Sequence, residues 1–195
     1  MVRIHRTWQA CSKAAGVRTG LREEELYDLV DFPLFDPYQM GQLDTAEYLR
    51  ELASYLSVSD QDARRVHDAI LREAYPGTEQ LVRDLKAAGI ATACLSNTNT
   101  LHWEALNSDR YPAIRDLDFK VVSHTVRLLK PSPALLRLFD KDTQRMPRQI
   151  VFFDDHQGNI DAALEHGWNA IFVDHESDPA SEMRQALRRA DLLTA

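Results

Sequence analysis

The hydrophobic rhythm of this chain changes near Pro76. Before it, apolar residues recur at helical spacing. Trp8, Cys11 and Ala15 predict a helix over Thr7 to Ala15, and Tyr48, Leu49, Leu52, Tyr55 and Leu56 form one stripe on another. Asp44, with Glu47 three residues on, has the pattern of an N-cap for that second helix, and Ser59 caps a third that ends before Pro76-Gly77. Leu21 to Val30 reads as a helix whose first turn is acidic through Glu23, Glu24 and Glu25, as the helix dipole favours. Asp31 to Leu43 holds Pro33, Pro37 and Gly41 and reads as a loop.

After Pro76 helices and strands alternate. A helix from Thr78 to Ala88 stops at Gly89. Strands follow near Ile90 to Leu95, Phe119 to Ser123, Ile150 to Phe153 and Ala170 to Val173, with helices near Pro133 to Phe139, Asn159 to His166 and Pro179 to Ala190. The alternation predicts an α/β fold, a parallel sheet with helices on both faces. Ile150-Val151-Phe152-Phe153 has the composition of a strand buried on both faces. The helical part, residues 1–75, would sit as a cap over the carboxyl edge of an α/β core, residues 76–195. No internal repeat and no low-complexity tract interrupts this plan.

Candidate chemistry gathers at the strand ends. Asp154 and Asp155 close the Ile150 strand, and two adjacent acids are poorly explained as packing because like charges repel. Hard oxygen ligands in a crevice are what Mg²⁺ requires, and the carboxyl edge of an open α/β sheet is where ligands bind. Upstream, Ala91 to Asn99 is a strand ending in small polar residues, and Lys130 is fixed by the following Pro131. A hydroxyl, a lone ammonium and paired acids are most of a phosphoryl-transfer site. His102, His124 and His156 each follow a strand end, but none forms the short helical pair typical of zinc ligands. His102 or Trp103 could contact substrate, with packing beneath the cap as the alternative. Asn159 could orient a ligating acid or cap the following helix.

In order, Leu95-Ser96-Asn97-Thr98-Asn99, Leu129-Lys130-Pro131 and Phe152-Phe153-Asp154-Asp155 resemble the second, third and fourth motifs of the haloacid dehalogenase (HAD) superfamily. The resemblance runs from about Tyr75 to Val173 and is nearest to the small-capped sugar-phosphate phosphatases, the branch that includes alpha-D-glucose-1-phosphate phosphatase. Leu101-His102, the stretch Arg110-Tyr111-Pro112-Ala113-Ile114-Arg115-Asp116 and the Gly167 turn match as well. The resemblance implies a HAD-like Rossmannoid sheet with a small helical cap inserted near the N-terminus. It implies Mg²⁺ held by Asp154 directly and by Asp155 through water or in support. It also implies phosphate held by Ser96, the backbone amide of Asn97 and Lys130, with His102 a further substrate-binding candidate.

One part of that pattern is absent. The family's nucleophile is an Asp ending the first strand, in a stretch of the form Phe-Asp-x-Gly-x-Val, with an acid two residues on. Here no Asp precedes Asp28, and Val2-Arg3-Ile4 is too short and too charged to replace the strand. Without it, two hydrophobic strand edges lie open. The expectation is a protein that starts upstream, by roughly a dozen residues on the family pattern. The rival is a chain that keeps a phosphate-binding shell without turnover. A metal-free haloacid dehalogenase fits less well, since that chemistry does not need the Asp154-Asp155 pair.

Composition narrows the partners. A net charge of −7 argues against a nucleic-acid partner, which would want a basic face. No apolar run is long enough for a membrane span, so no membrane partner is expected. Two cysteines, Cys11 and Cys94, predict no disulfide and a cytoplasmic protein. With 195 residues the chain suits one domain with a subdomain, as a monomer or homodimer. The reading that follows is a Mg²⁺-dependent phosphatase acting on a small phosphorylated metabolite such as a sugar phosphate. The alternative is an inactive HAD-like protein that binds a phosphorylated ligand.

Overall fold

Local capping chemistry sets most of the helix ends. In the computed structural model, which describes residues 1–20, 22 and 28–193, Thr7 Oγ1 accepts the Ala10 amide at 3.2 Å and starts α1 (Trp8–Ala15). α2 (Phe35–Gln39) lies in the stretch expected to be a loop; its Pro37 occupies the first turn, where no amide hydrogen is required. Asp44 Oδ1 accepts the Glu47 amide at 2.8 Å and caps α3 (Thr45–Leu56), and Ser59 does the same for α4 (Asp60–Asp68) through Asp62. The expected helix over 21–30 falls mostly outside the described residues; its end is a 3₁₀ turn, Leu29–Asp31, with Asp28 bridged to Thr7.

The chain enters and leaves this helical unit through an antiparallel ribbon, β1 (Val2–Ile4) with β2 (Leu71–Ala74). β2 carries no β-branched residue and was hidden from the sequence pattern; pairing with β1 makes it a strand. There follow α5 (Thr78–Ala87), β3 (Ala93–Ser96), α6 (Thr100–Leu106), α7 (Pro112–Arg115), β4 (Phe119–Val122) and α8 (Ser123–Val126). The chain then forms α9 (Pro133–Thr143), β5 (Val151–Asp154), α10 (Gln157–Glu165), β6 (Asn169–Phe172) and α11 (Pro179–Arg189). All four expected core strands are present within three residues of their predicted ends.

β3 pairs in parallel with β4, and β5 with β6. Helices cover both faces. Phe152 faces the cluster of Leu135, Leu136 and Phe139 from α9 and Ala163 from α10, while Val151 and Phe153 face Leu81 of α5 and Leu187 of α11. The expected single sheet is instead two parallel ribbons: among the described residues no strand pairs with the second edge of β3 or of β5. The expectation of a strand buried on both faces is corrected accordingly, because Val151, Phe152 and Phe153 all stay partly exposed. Met1, like Val151 and Phe153, packs against the cluster of Leu81, Val173, Met183 and Leu187.

The helical unit has an aromatic core. Trp8 meets Phe32 and Phe35 edge-on at 6.1 and 5.8 Å, and Tyr38 stacks on Tyr48 at 3.9 Å. Leu101 of α6 belongs to the same cluster, so this unit shares its interior with the α/β part. A second joint lies where α2 ends. Ser123 Oγ lies 2.7 Å from the Gln39 carbonyl and 2.8 Å from that of Thr98, and it accepts the Thr98 amide.

Gly41 follows at φ +62°, with the His124 carbonyl oxygen only 2.2 Å from where a Cβ would stand. Only glycine fits both the left-handed backbone and that approach. Gly41→Ala should destabilise the fold by about 2 kcal/mol or more. Thermal unfolding checks this; a midpoint within about a degree of wild type would contradict it.

Candidate active site

Two strand ends and the segment after α8 meet where the sequence places the chemistry. Asp154 is the last residue of β5 and is buried. Its Oδ1 accepts the His156 amide at 2.9 Å and Asn159 Nδ2 at 2.8 Å, and its Oδ2 accepts Lys130 Nζ at 2.6 Å. Both partners are shielded, with 13% of the Lys130 side chain and 6% of the Asp154 side chain exposed. Of the two readings of Asn159, the structure shows the one in which it orients the acid; the N-cap of α10 is His156.

Lys130 is anchored from β3. The Asn97 side chain grips its backbone on both sides, its Oδ1 accepting the Lys130 amide at 2.8 Å and its Nδ2 donating to the Lys130 carbonyl at 3.2 Å. Sequence reasoning assigned Asn97 only a backbone amide; the side-chain clamp joining the second motif to the third was missed. Ser96 ends β3 beside it, and its hydroxyl makes only a long contact, 3.4 Å, to the Asn97 carbonyl. It is therefore available to donate elsewhere.

Asp155 faces a different cation. Arg6, just before α1, brings Nη2 to within 2.5 Å of Asp155 Oδ2, and His175 Nδ1 stands 3.9 Å from the same oxygen. Tyr75 donates to the His175 carbonyl at 2.7 Å. Arg6 was not foreseen, and no local pattern marks it; only the fold brings residues 6 and 155 together.

His102 lies in a buried chain between α4 and α6. The Tyr48 hydroxyl meets His67 Nδ1 at 3.0 Å, His67 Nε2 meets Asn99 Oδ1 at 3.3 Å, and the two imidazoles stack at 4.2 Å. Asn99 Nδ2 donates to His102 Nδ1 at 3.2 Å, and His102 Nε2 donates to the His67 carbonyl at 3.2 Å. Both ring nitrogens of His102 are thus taken. This pattern suits neutral rings, and desolvation pushes His102 down to about 4 and His67 well below its usual value.

Asp154 and Asp155 offer carboxylate oxygens, the donor type that Mg²⁺ takes. Among the described residues no group of three or more His, Cys, Asp or Glu side chains is placed to hold a metal. An ion held by this pair would therefore have to complete its shell with water or further oxygens.

Comparison with known proteins identifies the family. A family model described as haloacid dehalogenase-like hydrolase matches residues 4–167. The chain belongs to that family. Over 130 residues it is 28% identical to (DL)-glycerol-3-phosphatase 1, mitochondrial, of Arabidopsis thaliana, covering 60% of this chain and 43% of the relative; it thus spans less than half the length of that protein. A HAD family enzyme of Bacteroides thetaiotaomicron solved as a magnesium complex superposes with a TM-score of 0.77 at 20% identity, over 94% of this chain and 93% of that one. A predicted HAD-like hydrolase of Porphyromonas gingivalis superposes with a TM-score of 0.76 at 20% identity, over 95% and 92% of the two chains. These likenesses establish the HAD-like α/β fold. Among the described residues no helix is long and apolar enough to cross a membrane.

The buried histidines generate a pH dependence. Their folded pKa values lie below the ordinary 6.5, so the unfolded chain binds more protons between the two. The stability they contribute is present above pH 6.5 and is lost as the pH falls toward 4. His102→Gln should flatten the decline in urea midpoint between pH 6.5 and 4; a slope parallel to wild type would refute this.

Proposed function

We propose that this protein is a Mg²⁺-dependent phosphomonoester hydrolase acting on a small soluble phosphorylated metabolite, with a sugar or polyol phosphate the first class to try. The observation that carries the reading is the buried contact of Lys130 with Asp154, held from β3 by Asn97. Ser96 donates a hydrogen bond to a phosphoryl oxygen, and Lys130 supplies positive charge to the group as it transfers. Asp154 and Asp155 would hold the magnesium ion, which when bound supplies further charge neutralisation at phosphorus. Residues 1–75 serve as the cap that excludes bulk water. The glycerol-3-phosphatase relative supports a small phosphorylated polyol, and a neighbouring fold crystallised with magnesium and inorganic phosphate supports the ligand pair. A cytoplasmic monomer or homodimer completes the proposal.

The nucleophile is proposed to come from a strand preceding Met1 and seated between β3 and β5. Both edges lack a strand partner among the described residues, and neither carboxylate of the pair is free to attack. The same engagement of both acids favours one other reading, a phosphate-binding protein without turnover.

Extending the chain at its N-terminus with an apolar strand ending in Asp separates the two. The extended protein should hydrolyse an aryl phosphate with Mg²⁺, while the unextended chain should not. Lys130→Ala and Asp154→Asn should each lower the rate of the extended enzyme by about 10²-fold or more. An extended, folded protein that binds phosphate through Lys130 but never turns over would establish the binding reading. Turnover that survives both substitutions would remove the mechanism altogether.

A further inference from the structure

We propose that the cavity beside the β1–β2 ribbon is a second anion site, which takes a small oxyanion-bearing metabolite and so ties the helical unit to the α/β part. The cavity measures about 480 Å³, within the range of small-molecule sites. It is lined from three directions: by His5 and Ala14 at the start of the helical unit, by Leu71 to Ala74 along β2, and by Arg110 and Tyr111 from the turn after α6. It lies apart from the candidate active site, since Ser96, Lys130, Asp154 and Asp155 are absent from its lining. Arg110 and Tyr111 also belong to a motif fragment that the proposed catalysis leaves unused.

Charge decides the ligand class. Glu73 is the one acid in the lining, and it is already matched, by Arg3 at 2.9 Å and Arg72 at 3.4 Å. Arg110 has no carboxylate partner among the described residues. It rests 5.1 Å from the centre of the Tyr111 ring and reaches the Leu71 carbonyl at 3.5 Å. Tyr111 is fully buried and donates to the Arg72 carbonyl, which fixes the platform under Arg110. Arg72 and Arg110 therefore present two guanidiniums to one carboxylate, a local excess of positive charge on a chain of net charge −7. Guanidinium forks suit phosphate and carboxylate alike. His5 lies at the same wall, and its pKa is lowered by burial and by Arg72. It can offer one N–H as a neutral ring.

The site's position gives it a consequence. Residues 71–74 carry the chain from the helical unit to the α/β part, and residues 2–4 pair with them at the base of that unit. An anion bridging Arg72 and Arg110 would brace the ribbon against the turn after α6. Occupancy would then bias how the helical unit sits, at a distance from the phosphate site.

Calorimetric titration with inorganic phosphate and with malonate at low ionic strength tests this, and it needs no turnover. It should be run on Lys130→Ala, which removes phosphate held at the active site. One site should remain, and Arg110→Met should weaken it at least tenfold while Arg110→Lys recovers part of the loss. The anion bound more tightly identifies the ligand class. Amide exchange in residues 2–4 and 71–74 should slow at least threefold at saturation, and not in Arg110→Met. If Lys130→Ala fails to fold, the wild-type chain titrated with phosphate in the presence of Mg²⁺ should show two sites and Arg110→Met one. No binding of either anion in Lys130→Ala, or binding indifferent to Arg110, would overturn the proposal. Loss of the catalytic reading alone would leave it standing.

Discussion

The organisation of the site depends on one buried ion pair, Lys130 with Asp154. Two largely shielded charges 2.6 Å apart are stable only if each is further satisfied. Asp154 has three donors on its two oxygens, and Asn97 holds the lysine's backbone. Removing one partner of such a pair typically costs about 3–5 kcal/mol, because the survivor stays buried and unmatched. The pair is thus weak evidence for stability as such but strong evidence for placement. It holds the segment after α8 against the end of β5 with no strand hydrogen bond between β3 and β5.

The helical unit is docked by polar contacts as well as by its aromatic core. Ser123 meets the end of α2, and the chain Tyr48–His67–Asn99–His102 joins α3 and α4 to the start of α6. Asn99, three residues after Ser96, is also the N-cap of α6. The strand end that presents the serine is therefore continuous with the residue that receives the helical unit. A shift of that unit would be felt within a few bonds of Ser96, while Arg6 at its base reaches Asp155 directly. Packing and site are coupled through short, specific links.

Much of this was legible from the residues alone because the signals were local. Asp44, Ser59 and Gly89 mark helix ends by side-chain oxygen or by backbone freedom, and the apolar runs of β3 to β6 follow them. The meeting of Lys130 with Asp154, and of both with the segment after Ser96, was legible only through their order along a parallel α/β pattern. What escaped is non-local or depends on pairing. β2 has a poor strand composition and exists because β1 lies beside it. Arg6 meets an acid 149 residues away, and Asn97 grips a backbone 33 residues away. α2 hid behind two prolines, although one of them stands where a helix tolerates it. His102 follows a strand end, as a substrate ligand would, yet its partner His67 comes from a helix 35 residues earlier.

The charges around Asp154 and Asp155 balance one another. Each carboxylate is matched by one cation, Lys130 for Asp154 and Arg6 for Asp155, so the cluster is formally neutral. A magnesium ion alone would add two positive charges beside two existing cations, which repulsion in a shielded site disfavours. A phosphoryl dianion alone would meet two carboxylates. Arriving together, the two leave the cluster's net charge unchanged, and one further carboxylate would tip it to negative and give Lys130 a second acid to face. Such a site would bind metal and phosphate cooperatively, each making room for the other. On the proposed reading, a metal held by Asp155 would compete with Arg6 for that carboxylate, and the base of the helical unit would then feel the occupancy of the crevice.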